Sequence, residues 1–378
     1  MGRHWVTLKE VQQGLLGTTT AFVSFRSPGA AVPQTFINPE GVATIRDLHS
    51  GFTELPGFVF APFRKNQPAL YMDGRIHLTG TEFPEPDLGD HFVQAAIPEL
   101  SLQTEEKASY TQKVQEVMAQ IRSGTVKKVV ISRPIVIPFS PIGLSAVLFE
   151  QLCKDYPKAF VYLAWIPGYG LWVGATPEML LKLEDGAVTS IALAGTRKPD
   201  EMGEWGHKET DEHEWVCRHI EEKMAAVGCT EISRSETVSV AAGTVSHLKT
   251  EYKAKIGKAT VGALLHALHP TPAVCGWPQK EAFESILKIE GTERGFYTGF
   301  LGPVTASGNL TVYVNLRCMQ ITGTKAIIYS GGGITAASDP GAEWEETELK
   351  SATLLNSIKK IQNFAPNLLN SEHGSRTS

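Results

Sequence analysis

An α+β fold with largely antiparallel sheets follows from three features of the 378-residue sequence. Strand-like and helix-like segments interleave irregularly, without a repeat and without the regular alternation that parallel βαβ units require. The last third reads as helix, turn-linked strands and one long helix. Hydrophobic residues make up 42% and charged residues 20%, punctuated by 35 Gly and 22 Pro, the profile of a loop-rich globular chain able to bury a large core. One large domain is expected over 1–364. Within it 1–109 is scaffold without chemical motifs and 110–364 carries them, while 365–378, rich in Asn, Ser and Gly, reads as a mobile tail.

Each element has its own signal. The first hundred residues hold short apolar runs, such as 58–63, between Pro, Gly and Asp turns. An amphipathic pattern predicts a helix over 110–122, and a β-branched run predicts a strand over 126–138. Further strands are expected at 159–166, 171–174, 310–319 and 325–329, and helices at 143–154, 209–227, 261–268, 280–289 and 343–363. The polar stretch 198–207, with Pro199, Gly203 and Gly206, reads as a long loop that could serve as a lid.

Composition excludes several roles. The formal charge of -5 gives no global attraction to nucleic acid or anionic lipid. The apolar run at 159–166 stops at Pro167, far short of a bilayer span, so neither membrane insertion nor secretion is expected. The five cysteines form no CxxC pair, which points to a reducing, cytoplasmic setting and away from zinc.

Two carboxylate pairs are the most informative feature. Glu209 and Glu212 fall on the helical stripe of Val216 and Ile220, and Glu343 and Glu346 fall in line with Lys350, Leu354, Ile358 and Ile361. Four converging glutamates would suit Mg²⁺, which takes oxygen ligands; alternatively, acidic residues near a helix N-terminus simply complement its dipole. Strand alternation sends Lys127 and Lys128 to opposite faces, so one of them is expected inside, where burial favours the neutral amine of a general base; a snorkelling surface lysine is the other reading. Glu178, between a turn and an apolar run, could be a buried general acid or only a turn residue. Ser330-Gly-Gly-Gly-Ile334 could cradle an anion or form a tight turn. Arg317 could grip a carboxylate or make a structural ion pair, and His213 and His269 could donate hydrogen bonds to a substrate.

In sequence order, Lys128-Val-Val-Ile-Ser-Arg133, Gly174-Ala-Thr-Pro-Glu178, Ala192-Leu-Ala-Gly-Thr196, Glu209-Thr-Asp-Glu-His213, His269-Pro-Thr-Pro-Ala-Val-Cys-Gly276, Arg294-Gly-Phe-Tyr-Thr-Gly299, Ser330-Gly-Gly-Gly-Ile334, Glu343-Trp-Glu-Glu-Thr347 and Lys350 resemble the chorismate-utilising enzymes. That family comprises the isochorismate, salicylate, anthranilate and aminodeoxychorismate synthases. The resemblance implies two large antiparallel sheets packed as a sandwich with helices outside. It implies water as nucleophile, because the water-using members carry Lys at the Lys128 position, and the His269–Gly276 run is most similar to the isochorismate synthases. Lys128 would then be base and Glu178 acid, with Mg²⁺ on Glu212 and Glu346 and on Glu209 and Glu343 directly or through water. Arg317, Lys350 and the amides of Gly332 and Gly333 would hold the enolpyruvyl carboxylate of chorismate, with Tyr297 nearby and Gly195, Thr196 and His269 along the ring. The product would feed menaquinone or siderophore biosynthesis. A monomer without a glutaminase subunit is expected. Salicylate synthase, an anthranilate or aminodeoxychorismate synthase large subunit, and a non-catalytic metabolite-binding relative are the competing readings.

Overall fold

Alternation along the strands sets the layering. In Phe160–Ile166, Phe160, Tyr162, Ala164 and Ile166 face one side while Val161, Leu163 and Trp165 face the other, and all are buried. A strand covered on both faces needs no polar alternation, which accounts for this unbroken apolar run. A computed structural model describes residues 4–45, 55–88, 93–197, 203–242 and 245–364. Among them two large sheets form, in which every pairing is antiparallel. A nine-stranded sheet runs in the order Gly276–Trp277, Lys128–Pro138, Lys325–Ile334, Cys318–Thr322, Gly170–Thr176, Phe160–Ile166, Ala21–Arg26, Gln34–Asn38 and Ile76–Thr79. A ten-stranded sheet places Val245–Lys255, Ala187–Arg197, Met179–Glu184, Leu310–Val314, Phe300–Val304 and Gly57–Ala61 side by side.

The sheets pack face to face through an aromatic core, with Phe25 against Phe58 at 5.4 Å and Phe160 stacked on Tyr313 at 4.3 Å. Helices cover the outer faces. Leu8–Leu15, Pro141–Asp155 and Pro340–Phe364 lie on the nine-stranded sheet, and His207–Ala226 and Val261–Leu268 on the ten-stranded one. Lys107–Arg122 and Gln279–Glu290 pack on Lys128–Pro138. In Pro340–Phe364 the buried Leu354, Ile358 and Ile361 each contribute about 1.5–3 kcal/mol and fix which face of the helix turns inward.

The α+β expectation and the two-sheet sandwich are both met, and the helices expected at 110–122, 143–154, 209–227, 261–268, 280–289 and 343–363 are present as Lys107–Arg122, Pro141–Asp155, His207–Ala226, Val261–Leu268, Gln279–Glu290 and Pro340–Phe364. Two strand expectations need correction. The run at 310–319 is two strands in different sheets, Leu310–Val314 and Cys318–Thr322. Asn315 breaks it: its buried side chain accepts from the Tyr162 hydroxyl at 2.8 Å and donates to the Phe296 carbonyl at 3.0 Å, so the chain crosses between sheets there. The strand at 325–329 instead continues through all three glycines as Lys325–Ile334, so Ser330–Ile334 is neither nest nor tight turn. Residues 198–202 of the proposed lid and the tail 365–378 lie outside the described residues.

Candidate active site

The cleft forms where strands leave one sheet for the other. Pro177 and Glu178 join Gly170–Thr176 of the nine-stranded sheet to Met179–Glu184 of the ten-stranded one, and Arg317 sits in the matching crossover after Leu310–Val314. Lys128 opens the strand Lys128–Pro138, paired with Lys325–Ile334 so that Gly333 faces Val130 and Gly332 faces Ile131. Helices His207–Ala226 and Pro340–Phe364 bring carboxylates to the same place. One cleft is lined by Lys128, Glu178, Gly195, Glu212, Tyr297, Arg317, Gly332, Gly333, Glu346 and Lys350.

Lys128 is the inward lysine, 2% exposed, whereas Lys127 faces solvent. Its Nζ lies 3.6 Å from Glu212 Oε2. A Cβ on Gly333 would stand 2.6 Å from Lys128 Cε and 3.5 Å from Glu212 Oε1; one on Gly332 would stand 3.0 Å from Glu343 Oε2 and 3.9 Å from Glu346 Oε1. The bare backbone of these two glycines is therefore where the lysine and three carboxylates converge. Gly333→Ala should keep the fold, because the backbone there is ordinary extended strand, but must displace Lys128. Turnover is expected to fall at least about tenfold, the cost of a misplaced reacting group, with a melting temperature near wild type. Unchanged turnover would show that the position of Lys128 is not critical.

Glu178 is buried, and burial pushes its carboxyl up to about 8 against the opposing charges of Lys128 and Lys350. Its backbone carbonyl accepts from Val314 N–H at 2.9 Å, which ties the crossover to the neighbouring strand.

Each remaining carboxylate has its own lysine. Glu212 pairs with Lys128, Glu343 with Lys208 at 2.7 Å, and Glu346 with Lys350 at 2.5 Å. Burial raises Glu212, opposed by Lys128 and Lys208. Burial and the charge of Glu346 raise Glu343, whereas Glu346, although burial acts against it, is held below the carboxylate range by Lys350. Glu343 Oε1 also accepts from Ser338 Oγ at 2.6 Å, while its buried Oε2 has no hydrogen-bond partner. As positioned, no three acidic, histidine or cysteine side chains among the described residues are close enough to hold a metal ion. The chemistry of the donors still suits Mg²⁺, since all three side chains are hard carboxylates and one oxygen of Glu343 has no partner. Glu209 does not join them. Its Oε2 turns back to the helix N-terminus, 2.6 Å from where a Gly206 Cβ would stand, the place of an N3 acid at a helix start.

The proposed carboxylate grip is partly assembled. Arg317 is in the left-handed region at φ 48°, burial lowers its guanidinium to about 10, and its buried Nη1 has no partner among the described residues. Lys350 Nζ donates to the Gly331 carbonyl at 3.0 Å, and Tyr297 stacks on Tyr329 at 5.2 Å. Gly332 needs correction. Adjacent amides of a strand point to opposite edges. Val130 N–H goes to Cys275 O and Ser132 N–H to Glu290, away from Lys325–Ile334, so their partners Gly333 and Gly331 turn their amides to the open edge while Gly332 belongs to the ladder with Ile131.

His269 is also placed elsewhere. Its Nε2 lies 3.1 and 3.2 Å from the Pro62 and Phe63 carbonyls, which only accept, so the imidazole is a buried donor to backbone, and burial holds it down to about 3. His213 likewise spends Nε2 on Thr250 Oγ1, at 2.7 Å. The backbone of Thr196 pairs with His247, but its side chain lies outside the described residues. The histidine that does line the cleft is His247, whose Nδ1–H donates to the Gly195 carbonyl at 2.8 Å. Nothing in Val245-Ser-His-Leu248 marks it in the sequence. Thr298, buried at φ 59°, also lines the cleft; it falls inside the Arg294–Gly299 run but carries no assigned role there.

A two-sheet sandwich with a buried lysine and acid facing clustered carboxylates defines a class, and the sequence matches the family model described as "Chorismate binding enzyme" over residues 90–359. The chain belongs to that family. It is 31% identical over 262 residues to the isochorismate synthase EntC of Escherichia coli (strain K12), covering 66% of this chain and 67% of that protein. It is 30% identical over 292 residues to the isochorismate synthase MenF of Bacillus subtilis (strain 168), covering 73% of this chain and 60% of that protein. The menaquinone-specific isochorismate synthase MenF of Escherichia coli shares the fold, with a TM-score of 0.74 at 21% identity over 94% of this chain and 95% of that one. So does the anthranilate synthase component I of Streptococcus pneumoniae TIGR4, with a TM-score of 0.63 at 17% identity over 93% and 92%.

Proposed function

We propose that the chain is an isochorismate synthase, an isomerase that converts chorismate to isochorismate. The observation that carries this reading is one cleft holding a buried amine, Lys128, and a buried carboxyl, Glu178, raised to about 8. Lys128 takes a proton from the water that attacks C2; the new C2–O bond forms, the ring double bonds shift, and the C4–O bond breaks. Glu178, protonated near neutral pH, gives its proton to the departing hydroxyl, which leaves as water. One water is consumed and one released, and a proton returned from Lys128 to Glu178 through solvent resets the site. Arg317, Lys350 and the Gly333 amide hold a carboxylate of the substrate, Tyr297 stands beside them, and Gly195 with His247 walls the ring side.

Mg²⁺, held by Glu212, Glu346 and Glu343, would supply positive charge for the ring carboxylate and for the charge that develops during attack. Glu209, at the helix N-terminus, is left out of the set. A cytoplasmic catalytic domain over 1–364 is part of this reading, supported by five free cysteines, which suit a reducing setting; no described helix is long and apolar enough to cross a membrane. A monomer needing no glutaminase is the matching assembly, its product passing to menaquinone or siderophore synthesis.

Incubating the pure protein with chorismate and Mg²⁺ tests this. Isochorismate is the expected product, without ammonia. Salicylate appearing without an added lyase would reassign the chain to the salicylate synthases, ammonium-dependent amination to the anthranilate or aminodeoxychorismate synthases, and no turnover to a binding protein.

A further inference from the structure

Three carboxylates converge around Gly332 and Gly333, each paired with its own lysine, and the Glu343–Lys208 pair lies just behind the cleft lining. Two of the lysines have other work: Lys128 faces the reacting water and Lys350 the substrate carboxylate. Lys208 has none. It lies one turn before Glu212 on helix His207–Ala226, and its Nζ reaches across to Glu343 Oε1 on helix Pro340–Phe364 at 2.7 Å. Its partner's side chain is 2% exposed, whereas that of Lys208 is 27% exposed, so the lysine has a path to water that the carboxylate lacks. The other oxygen of Glu343 is buried and unpartnered beside Gly332.

We infer that Lys208 is a resident, displaceable counter-cation: it neutralises the carboxylate cluster while Mg²⁺ is absent, ties the two helices together, and must swing out for the metal to be bound. This rests on the metal reading above. The physical reason is that a buried carboxylate without a positive partner is costly, so a long flexible amine at the cleft's edge keeps the site assembled and competes for the same oxygens. Lys208 then sets metal affinity while touching no substrate, which makes it a positioning residue.

Magnesium titration by calorimetry on the full chain, with thermal melts with and without Mg²⁺, tests this. Lys208→Met is expected to bind Mg²⁺ up to about fivefold more tightly, the scale of a lost ion pair with one part-exposed partner. Its melting temperature without metal should be lower and the rise on adding Mg²⁺ larger. Lys208→Arg, which keeps the charge, should stay near wild type. Lys208→Gln is carried in parallel in case Met does not fold. If wild type binds Mg²⁺ but the Met or Gln variant binds it no more tightly, the inference is wrong and the metal reading stands. If wild type shows no saturable binding and Glu343→Gln changes nothing, the metal reading itself fails and takes the inference with it.

Discussion

Glu178→Gln and Lys128→Ala are each expected to cut turnover by about two orders of magnitude or more, the scale of a well-placed acid or base. The two losses should be distinguishable by their effects on stability. Lys128→Ala removes the amine 3.6 Å from a buried Glu212, leaving that carboxyl without its nearest polar partner, so this variant should melt lower. Glu178→Gln replaces a carboxyl whose ionisation burial already opposes with a neutral group of the same shape, so it should melt at or above wild type. Near-normal turnover in either variant would remove that residue from its assigned step.

The Glu178 carboxyl also makes a pH prediction with a definite sign. Its folded value of about 8 lies above the ordinary value of 4.5 for a glutamate carboxyl, so the folded protein binds the proton more tightly than the unfolded chain. The stability this contributes is complete below pH 4.5 and is lost as pH rises through 8. Wild type should therefore lose melting temperature between about pH 4.5 and 8 on this account, levelling off above that, and Glu178→Gln should be spared that part of the loss. Activity follows the same titration, because only the protonated acid can give a proton to the leaving hydroxyl. The basic limb of the wild-type profile should fall near pH 8 and be absent from the residual activity of the variant. A basic limb unchanged by Glu178→Gln would assign it to another group.

What the sequence made legible was what periodicity or local chemistry encodes. The helical stripe of Leu354, Ile358 and Ile361 gave the last helix and the inward face of Glu343 and Glu346. The alternation of Lys127 and Lys128 announced one buried lysine, though not which. Some local signals went unread: Thr7-Leu-Lys-Glu10 is a capping box, with Thr7 N–H donating to Glu10 Oε2 at 2.7 Å, and it opens the helix Leu8–Leu15 in a stretch expected to be only scaffold. Other features had no local signal. Asn315 ends a strand through contacts with Tyr162 and Phe296, distant in sequence or on another segment, and Gly332 loses its amide to the ladder because of a register that only the pairing with Lys128–Pro138 fixes. Glu209 and Glu212 share a helical stripe, yet only Glu212 reaches the cleft, because Glu209 lies in the first turn and folds back on the helix end.

The Arg294–Glu290 pair carries the largest expected effect on stability. Both side chains are 3% exposed, and Arg294 Nη2 meets Glu290 Oε1 at 2.5 Å. The guanidinium also donates to the Val130 carbonyl at 2.7 Å, the Val274 carbonyl at 3.0 Å and Thr298 Oγ1 at 3.2 Å, while Glu290 accepts from Ser132 N–H and Oγ at 2.7 and 2.8 Å. Three cleft-lining segments are thus clamped to one buried ion pair. Removing one partner leaves the other charged and desolvated, so Arg294→Ala or Glu290→Ala should each cost about 3–5 kcal/mol in urea denaturation. Taking out both charges with Arg294→Met and Glu290→Met together should cost clearly less than the sum of the two single changes, because neither charge is then stranded. The double variant should still lose turnover, since Val130, Val274 and Thr298 would no longer be held at their present spacing around the substrate. Single variants costing under about 1 kcal/mol, the range of an exposed pair, would show that the clamp is solvated and that the cleft is held by packing alone.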